Sequence, residues 1–406
     1  MISLQNAIDI ISANITALPV ERVPILDSIG HTVTEDIVSV INVSGFRNSA
    51  MDGFAVKADL LATCSPENPV TLPVAGVAYA GGDRVTGNSA GCALKIMTGA
   101  PASDEYDAVV KVEDVTFTDG AVTFTAPVTR GANIRPAGED VRKGEMVFPR
   151  GRRLSTLDIG ILASIGCADV EIVRKPVISV YTTGDELIEP GSAQPGFGQI
   201  YNSNRYTIVS LIGPFCRQVK HNAPVADTAG ALRKALSSDS DVIITSGGVS
   251  AGDKDLVPQV AEELGWRKLF HEIAIKPGKP VFFARRGKQL LFGLPGNPLS
   301  TAVTCATLVI PALKQMAGIA NATPQPQPAM LRGPSRSGKR LLLWPGRIWR
   351  EGASLYAEYS PKKSSAVLTA LRNTDGLIIE TVHKESNVAP NAETSVEVLL
   401  WDDLLR

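Results

Sequence analysis

Leu4, Ala7, Ile8 and Ile11 recur at i, i+3, i+4 and i+7, so the chain opens on an amphipathic helix. Short mixed elements follow over 19–44. From Phe46 the pattern changes to period two. Residues 70–77, 93–97, 108–112 and 115–126 read as strands, and the last alternates on both sides of Asp119-Gly120, a hairpin signal. Residues 46–139 are therefore expected to form a separate β domain, inserted into a first region of 1–45 and 140–173. From Val177, strand patterns at 177–183, 217–223, 241–245, 270–275 and 280–293 alternate with helical ones near 204–213, 228–237, 255–264 and 298–317. That spacing predicts an α/β domain with a mostly parallel sheet over 174–322. Thr323, Pro324, Gln325, Pro326, Gln327 and Pro328 read as a stiff, extended linker. Runs at 340–349, 354–359, 377–382 and 394–401 then predict a small C-terminal β domain within 323–406. The fold class is thus α/β plus β in a multidomain chain.

The length of 406 residues exceeds what one core supports, which agrees with several domains. Forty basic residues against 41 acidic ones give a net charge of -1, so neither nucleic acid nor a membrane is an expected partner. None of the five cysteines forms a CxxC pair, and most sit in apolar context. They are expected to be buried thiols in a reducing, cytoplasmic setting, with no structural zinc. The opening MISLQNAIDII lacks the basic start of a signal peptide. Gln289 to Leu313 carries no charge and is long enough to span a bilayer. Pro295, Asn297, Pro298 and Pro311 interrupt it, so it reads as a strand, a turn and a buried helix.

The densest chemistry lies in TSGGVSAGDKD, residues 245–255, which follows the buried strand pattern at 241–245. Gly247 and Gly248 permit a sharp turn and close approach of a ligand. Ser246 and Ser250 offer hydroxyls, and the loop amides can face an anion. Gly252 adds a hinge, and Asp255 is expected to cap the helix of Leu256, Val257, Val260 and Leu264. A strand, a glycine-rich loop and a helix in that order form a ligand site in open α/β sheets; the plainer reading is a simple turn. Gly184, Asp185 and Glu186 end the first α/β strand, where paired acids either hold a divalent metal or cap a turn. Asn202 to Arg205 open the next helix with cap side chains and free amides, suited to an anion or to ordinary capping. In KPGKP, prolines and a glycine frame Lys276 and Lys279, which suits an oxyanion; a solvated hairpin turn is the alternative. Asn297 reads as an N-cap with Pro298 at the first helical position. Gly333 to Lys339 mimics a phosphate loop, but Arg340 stands where Ser or Thr should ligate magnesium and a strand pattern follows, which excludes it. His31, His221, His271 and His383 show no ligand spacing.

Eight stretches together resemble the molybdopterin molybdenumtransferase family, that of MoeA and the gephyrin E domain. They are NSAMDGFAV at 48–56, KIMTGAP at 95–101, AGEDV at 137–141, TTGDEL at 182–187, IYNSNR at 200–205, TSGGVSAGDKD at 245–255, AIKPGKP at 274–280 and GLPGNPLS at 293–300. Their order matches over roughly 45 to 320. The resemblance implies an elongated homodimer of four-domain chains, with a central molybdopterin-binding α/β domain and a barrel-like C-terminal domain. It implies a transferase of molybdenum cofactor biosynthesis. Such an enzyme takes adenylylated molybdopterin and molybdate, uses Mg2+, releases AMP and hands its product to molybdoenzymes.

Carried onto this sequence, the catalytic set is Asp52, Asp140, Glu186, Asp255, Lys276 and Lys279. The substrate set is Thr98, Gly184, Asp185, Asn204, Asp227, Ser246, Gly247, Gly248, Ser250, Pro295 and Pro298. Asp185, Glu186 and Asp255 are the implied magnesium ligands. Asp52, Thr98 and Asp140 would reach the site from the other subunit. The sequence departs from the family at Ala137, where Arg is common, and at Pro345, near a usual arginine; Ser364-Ser365 loosely matches a serine motif. A scaffold protein of the same fold and a molybdopterin adenylyltransferase are the competing readings.

Overall fold

The computed structural model describes residues 1–82, 90–221, 223–250, 255–320, 322–336, 338–381 and 394–405. At its centre the strand Val177–Thr182 lies between Gln218–His221 and Val242–Ser246, and Gln289–Leu294 follows, all parallel. Two antiparallel strands, Phe282–Arg286 and then Arg267–His271, complete the six-stranded sheet. Val242–Ser246 is buried along its whole length because helices cover both faces. Val242 and Ile244 pack on one side with Ile208, Ile212 and the helix that starts at Pro298. Ile243 points the other way, towards Leu232, Val257 and Val260. This alternation is the period-two geometry of a strand applied to an all-apolar run.

The expected single strand over 280–293 is instead a hairpin, turned at Gly287 with φ +58. Polar Arg285, Arg286, Lys288 and Gln289 surround that glycine and break the apolar run. The uncharged stretch folds as expected, into a strand and then a helix. Pro298–Met316 is long and apolar enough to cross a membrane by composition alone, but 94% of its apolar window is buried inside the protein.

In the β region, strands run in the order Ala108–Lys111, Gly53–Val56, Ala93–Ile96, Val70–Ala78, Ala121–Phe124 and Val115–Thr118. The sheet curls until the Phe54 and Phe117 rings lie 5.3 Å apart. Asp119 (φ 52) and Gly120 (φ 78) make the hairpin turn that their sequence predicts. Residues 48–54, Asn48 to Phe54, read from sequence as a polar turn bounded by apolar residues, but Gly53–Val56 forms a strand. The strand is buried and central, and a Cβ on Gly53 would lie 2.0 Å from the Val110 carbonyl oxygen. Val20–Pro24 pairs with Asp169–Val173, and Ile37–Val38 pairs with Met146–Phe148, so segments far apart in sequence meet.

The C-terminal strands Gln327–Leu331, Leu341–Glu351, Ser354–Tyr359, Gly376–Glu380 and Thr394–Leu400 close into a five-stranded barrel. The stiff linker is therefore shorter than expected. Gln327 and Pro328 already belong to a strand, because burying Ala329 and Leu331 in the barrel outweighs the proline signal. Ile275–Lys276 adds to the barrel edge beside Leu341 and Leu342, which ties KPGKP to this unit. All five cysteines are free thiols; Cys64 and Cys305 are buried and the other three are half-buried, more open than expected.

Candidate functional site

A cavity of about 780 Å3 opens at the C-terminal ends of the parallel strands. Five sequence stretches converge there because the strands that lead to them are neighbours. The loop after Val177–Thr182 brings Gly184 and Glu186, and the glycine-rich loop brings Ser246, Gly247, Gly248, Ser250 and Asp255. Asn204 comes from the helix Ser203–Ile212, Asp227 from the segment before Ala229–Leu236, and Pro295 and Pro298 from the turn after Gln289–Leu294. Gly252 lies outside the described residues.

The local geometry explains the residue types. Gly247 has φ +96, and a Cβ there would stand 2.7 Å from the Thr183 carbonyl oxygen, so only glycine fits. The Asn204 amide donates to Ser246 Oγ at 2.9 Å and to the Gly296 carbonyl at 2.7 Å, joining two site loops. Its Oδ1 is a buried acceptor without a protein partner, as is the Thr183 hydroxyl oxygen nearby, and both are polar groups ready for a ligand. Asn202 is fully buried. Its Oδ1 caps the helix through the Arg205 N–H, and its Nδ2 donates to Thr182 Oγ1 at 2.8 Å and to Glu189 Oε1 at 2.9 Å.

Three expectations are corrected. Asp255 is not the cap of the following helix. Val257–Glu263 has Leu256 at its N-cap position and Pro258 in the first turn, whose fixed φ starts the helix without a side-chain cap. Asp255 instead faces the cavity. Asn297 occupies an N-cap position but does not cap; its amide donates to Ser365 Oγ at 3.2 Å. The two lysines of KPGKP also part company. Lys279 pairs with Glu272 at 2.9 Å, which draws the Glu272 carboxyl below its usual range, while Lys276 lines a second cavity of about 310 Å3. There Lys276 meets Arg336, Lys363, Ser335 and Trp344, with no acidic residue in the lining among the described residues.

Asp185 is next to the main cavity rather than in its lining, and its Oδ1 accepts the Asp227 N–H at 3.3 Å. Asp52 and Thr98 meet in the β region. The Asp52 carboxylate accepts the Thr98 N–H at 2.7 Å and its hydroxyl at 2.8 Å, which lowers the Asp52 pKa. Asp140 is exposed, with its N–H donated to the Val43 carbonyl. None of these three lines the main cavity within one chain. Among the described residues no three His, Cys, Asp or Glu side chains gather as a preformed metal cage.

Sequence reasoning missed two supports of the site. A ring nitrogen of His271 lies 2.7 Å from the Val249 carbonyl oxygen and tethers the glycine-rich loop from outside. Ala366 lines the cavity, and the Ser365 carbonyl accepts the Leu299 N–H, so the C-terminal barrel reaches the helix that carries Pro298. Both depend on long-range contacts that no local pattern signals.

The α/β sheet with a glycine-lined cavity at its strand ends is the class seen in molybdopterin-binding domains, and residues 179–315 match the model of a probable molybdopterin binding domain. Residues 2–166 match the MoeA N-terminal region, domains I and II. The chain belongs to the molybdopterin molybdenumtransferase family. It is 40% identical over 288 residues, 70% of each chain, to the molybdopterin molybdenumtransferase of Haemophilus influenzae. It is 32% identical over 381 residues to that of Synechococcus elongatus, covering 91% of this chain and 93% of the relative. The crystal structure of a molybdopterin biosynthesis MoeA protein from Pyrococcus horikosii superposes with a TM-score of 0.81 at 30% identity, over 98% of this chain and 99% of that one.

Proposed function

We propose that this chain inserts molybdenum from molybdate into molybdopterin, taking the pterin in adenylylated form and releasing AMP. The observation that carries the reading is the main cavity, where Gly247 and Gly248, Ser246, Ser250, Asn204, Glu186 and Asp255 converge. Close backbone approach at the glycines suits a phosphate chain, and Asn204 Oδ1 and the Thr183 hydroxyl are unpaired within the protein.

Magnesium fits this donor set. It is commonly held by one or two carboxylates, with substrate phosphates and water completing the shell, so a preformed cage of three acids is not required. Glu186 and Asp255 would hold it, with Asp185 on the Glu186 loop as the third carboxylate. When bound it would screen charge that builds on the phosphoanhydride as AMP departs. The chain's own residues do the rest. Asn204 keeps two loops in register, and the Gly247–Gly248 backbone lies against the substrate.

Molybdate is substrate, and the second cavity supports a place for it. Lys276, Arg336 and Lys363 line it together, and among the described residues no carboxylate does. Arg336 supplies a guanidinium to this cavity, while Pro345 stands near a place where the family usually has an arginine. Lys279, already paired with Glu272, serves this oxyanion less directly. Asp52, Thr98 and Asp140 would complete the main cavity of a partner subunit in an elongated homodimer. Reconstitution of an apo-molybdoenzyme from adenylylated molybdopterin and molybdate tests the proposal. It should require this chain and magnesium; equal reconstitution without the chain would contradict it.

A further inference from the structure

We infer that Tyr201 is the platform on which a fused, planar nitrogen heterocycle of the substrate stacks, an inference that rests on the function proposed above. The lining of the main cavity is of two kinds. Hydroxyls, amides and carboxylates come from Ser246, Ser250, Asn204, Asp227 and Asp255 among others. Leu187, Ile200 and Tyr201, from a short parallel pair of strands, add apolar surface. Tyr201 is the one aromatic side chain among the described residues that line the cavity.

This strand pair is held firmly. The Ile200 N–H donates to the Glu186 carbonyl at 2.9 Å, and the Asn202 N–H donates to the Ile188 carbonyl at 2.8 Å. The Tyr201 hydroxyl donates to the Ala193 carbonyl at 3.0 Å, which fixes the far end of the ring. Even so, Ile200 is 55% exposed and Tyr201 42%. A rigid ring left this open on a cavity wall leaves a face for a ligand to cover. A heteroaromatic ring gains from stacking on it, while the phosphates attached to that ring reach the hydroxyls, amides and carboxylates of the same cavity. The ladder also links Tyr201 to Glu186, so placing the ring registers the phosphates against the carboxylates.

The substrate carries two such rings, adenine and pterin, and calorimetric titration of the full chain with separate probes tells them apart. The probes are AMP, 6-hydroxymethylpterin and inorganic phosphate. Tyr201→Leu should weaken AMP or the pterin by about 10-fold or more, the scale of one base–aromatic stack. Inorganic phosphate should bind as before. Tyr201→Phe keeps the ring and loses only the hydroxyl tether, so it should stay within about 3-fold of the parent chain, since one neutral hydrogen bond is small on this scale. Loss on AMP alone assigns Tyr201 to adenine, and loss on the pterin alone assigns it to the pterin. Unchanged binding of both rings to Tyr201→Leu overturns the inference and leaves the proposed function intact. Equal loss of phosphate also overturns it, because the residue would then be supporting the fold. A parent chain that binds neither ring would sink the functional proposal and the stacking with it.

Discussion

Asp255 shows how much a single carboxylate can be asked to explain. Read as a helix cap, it would matter for folding; facing the cavity without capping, it matters for charge. Asp255→Asn keeps the size of the side chain and, because Asp255 is not the helix cap, should leave stability within about 0.5 kcal/mol. AMP release should fall by about 100-fold or more, because phosphate charge is left unscreened. Thermal unfolding and single-turnover release on one preparation decide the matter; collapse of stability with normal turnover of the folded fraction would reverse the assignment. Asp52 makes a separate prediction. Its folded pKa is lowered by two bonds from Thr98, so the contribution is present above the ordinary carboxylate range and is lost as pH falls through the folded value. Thr98→Val removes the hydroxyl bond and keeps the N–H, so the Asp52 midpoint should move part of the way up. An NMR titration of the Asp52 carboxyl that shows no movement would contradict this. The lysines give a ranking. Lys276→Ala should weaken molybdate by ~1–3 kcal/mol, the range of a charge-assisted hydrogen bond, and Lys279→Ala by less. Sequence alone showed two framed cations; it could not show that Glu272, itself at a positive φ of 71, turns back to claim one of them.

Legibility at the scale of elements followed the strength of the local pattern. Val242–Ser246 was readable because it is a short, buried, mostly apolar run with a helical period after its loop. Asp119-Gly120 was readable because that pair favours the positive φ angles its turn adopts. The Phe282–Leu294 hairpin was missed because two apolar strands joined by a tight polar turn resemble one long strand. Gln327–Leu331 was hidden by prolines, whose cost is set against barrel packing far away in sequence. The site loops were legible as chemistry, but their mutual supports were not. Asn202 is such a support, serving at once as N-cap and as donor to Thr182 and Glu189. Asn202→Ala should destabilise the chain by ~1–3 kcal/mol, since it removes a cap and takes this donor from the buried Thr182 hydroxyl. Urea unfolding checks it, and an unchanged midpoint would show that water replaces the side chain without loss.

On the scale of the whole molecule, one chain carries both cavities. The α/β sheet presents the phosphate-facing loops, and the barrel edge at Leu341–Leu342 holds the Ile275–Lys276 segment whose lysine enters the cationic cavity. Asp52 and Thr98 lie in turns beside the strands Gly53–Val56 and Ala93–Ile96 of a different sheet, outside the main cavity of their own chain, which is why the site is proposed to be shared between subunits. Mixing an Asp52→Ala chain with an Asp255→Ala chain should restore part of the activity, because one site of the mixed dimer is intact; no recovery alongside proven mixing would argue for sites within single chains. The central claim is the reaction itself, and rapid-quench analysis of nucleotide release from adenylylated molybdopterin tests it most directly. The account predicts that molybdate and magnesium together bring about release of AMP, one per pterin loaded. Release of pyrophosphate, or AMP release indifferent to molybdate, would contradict it.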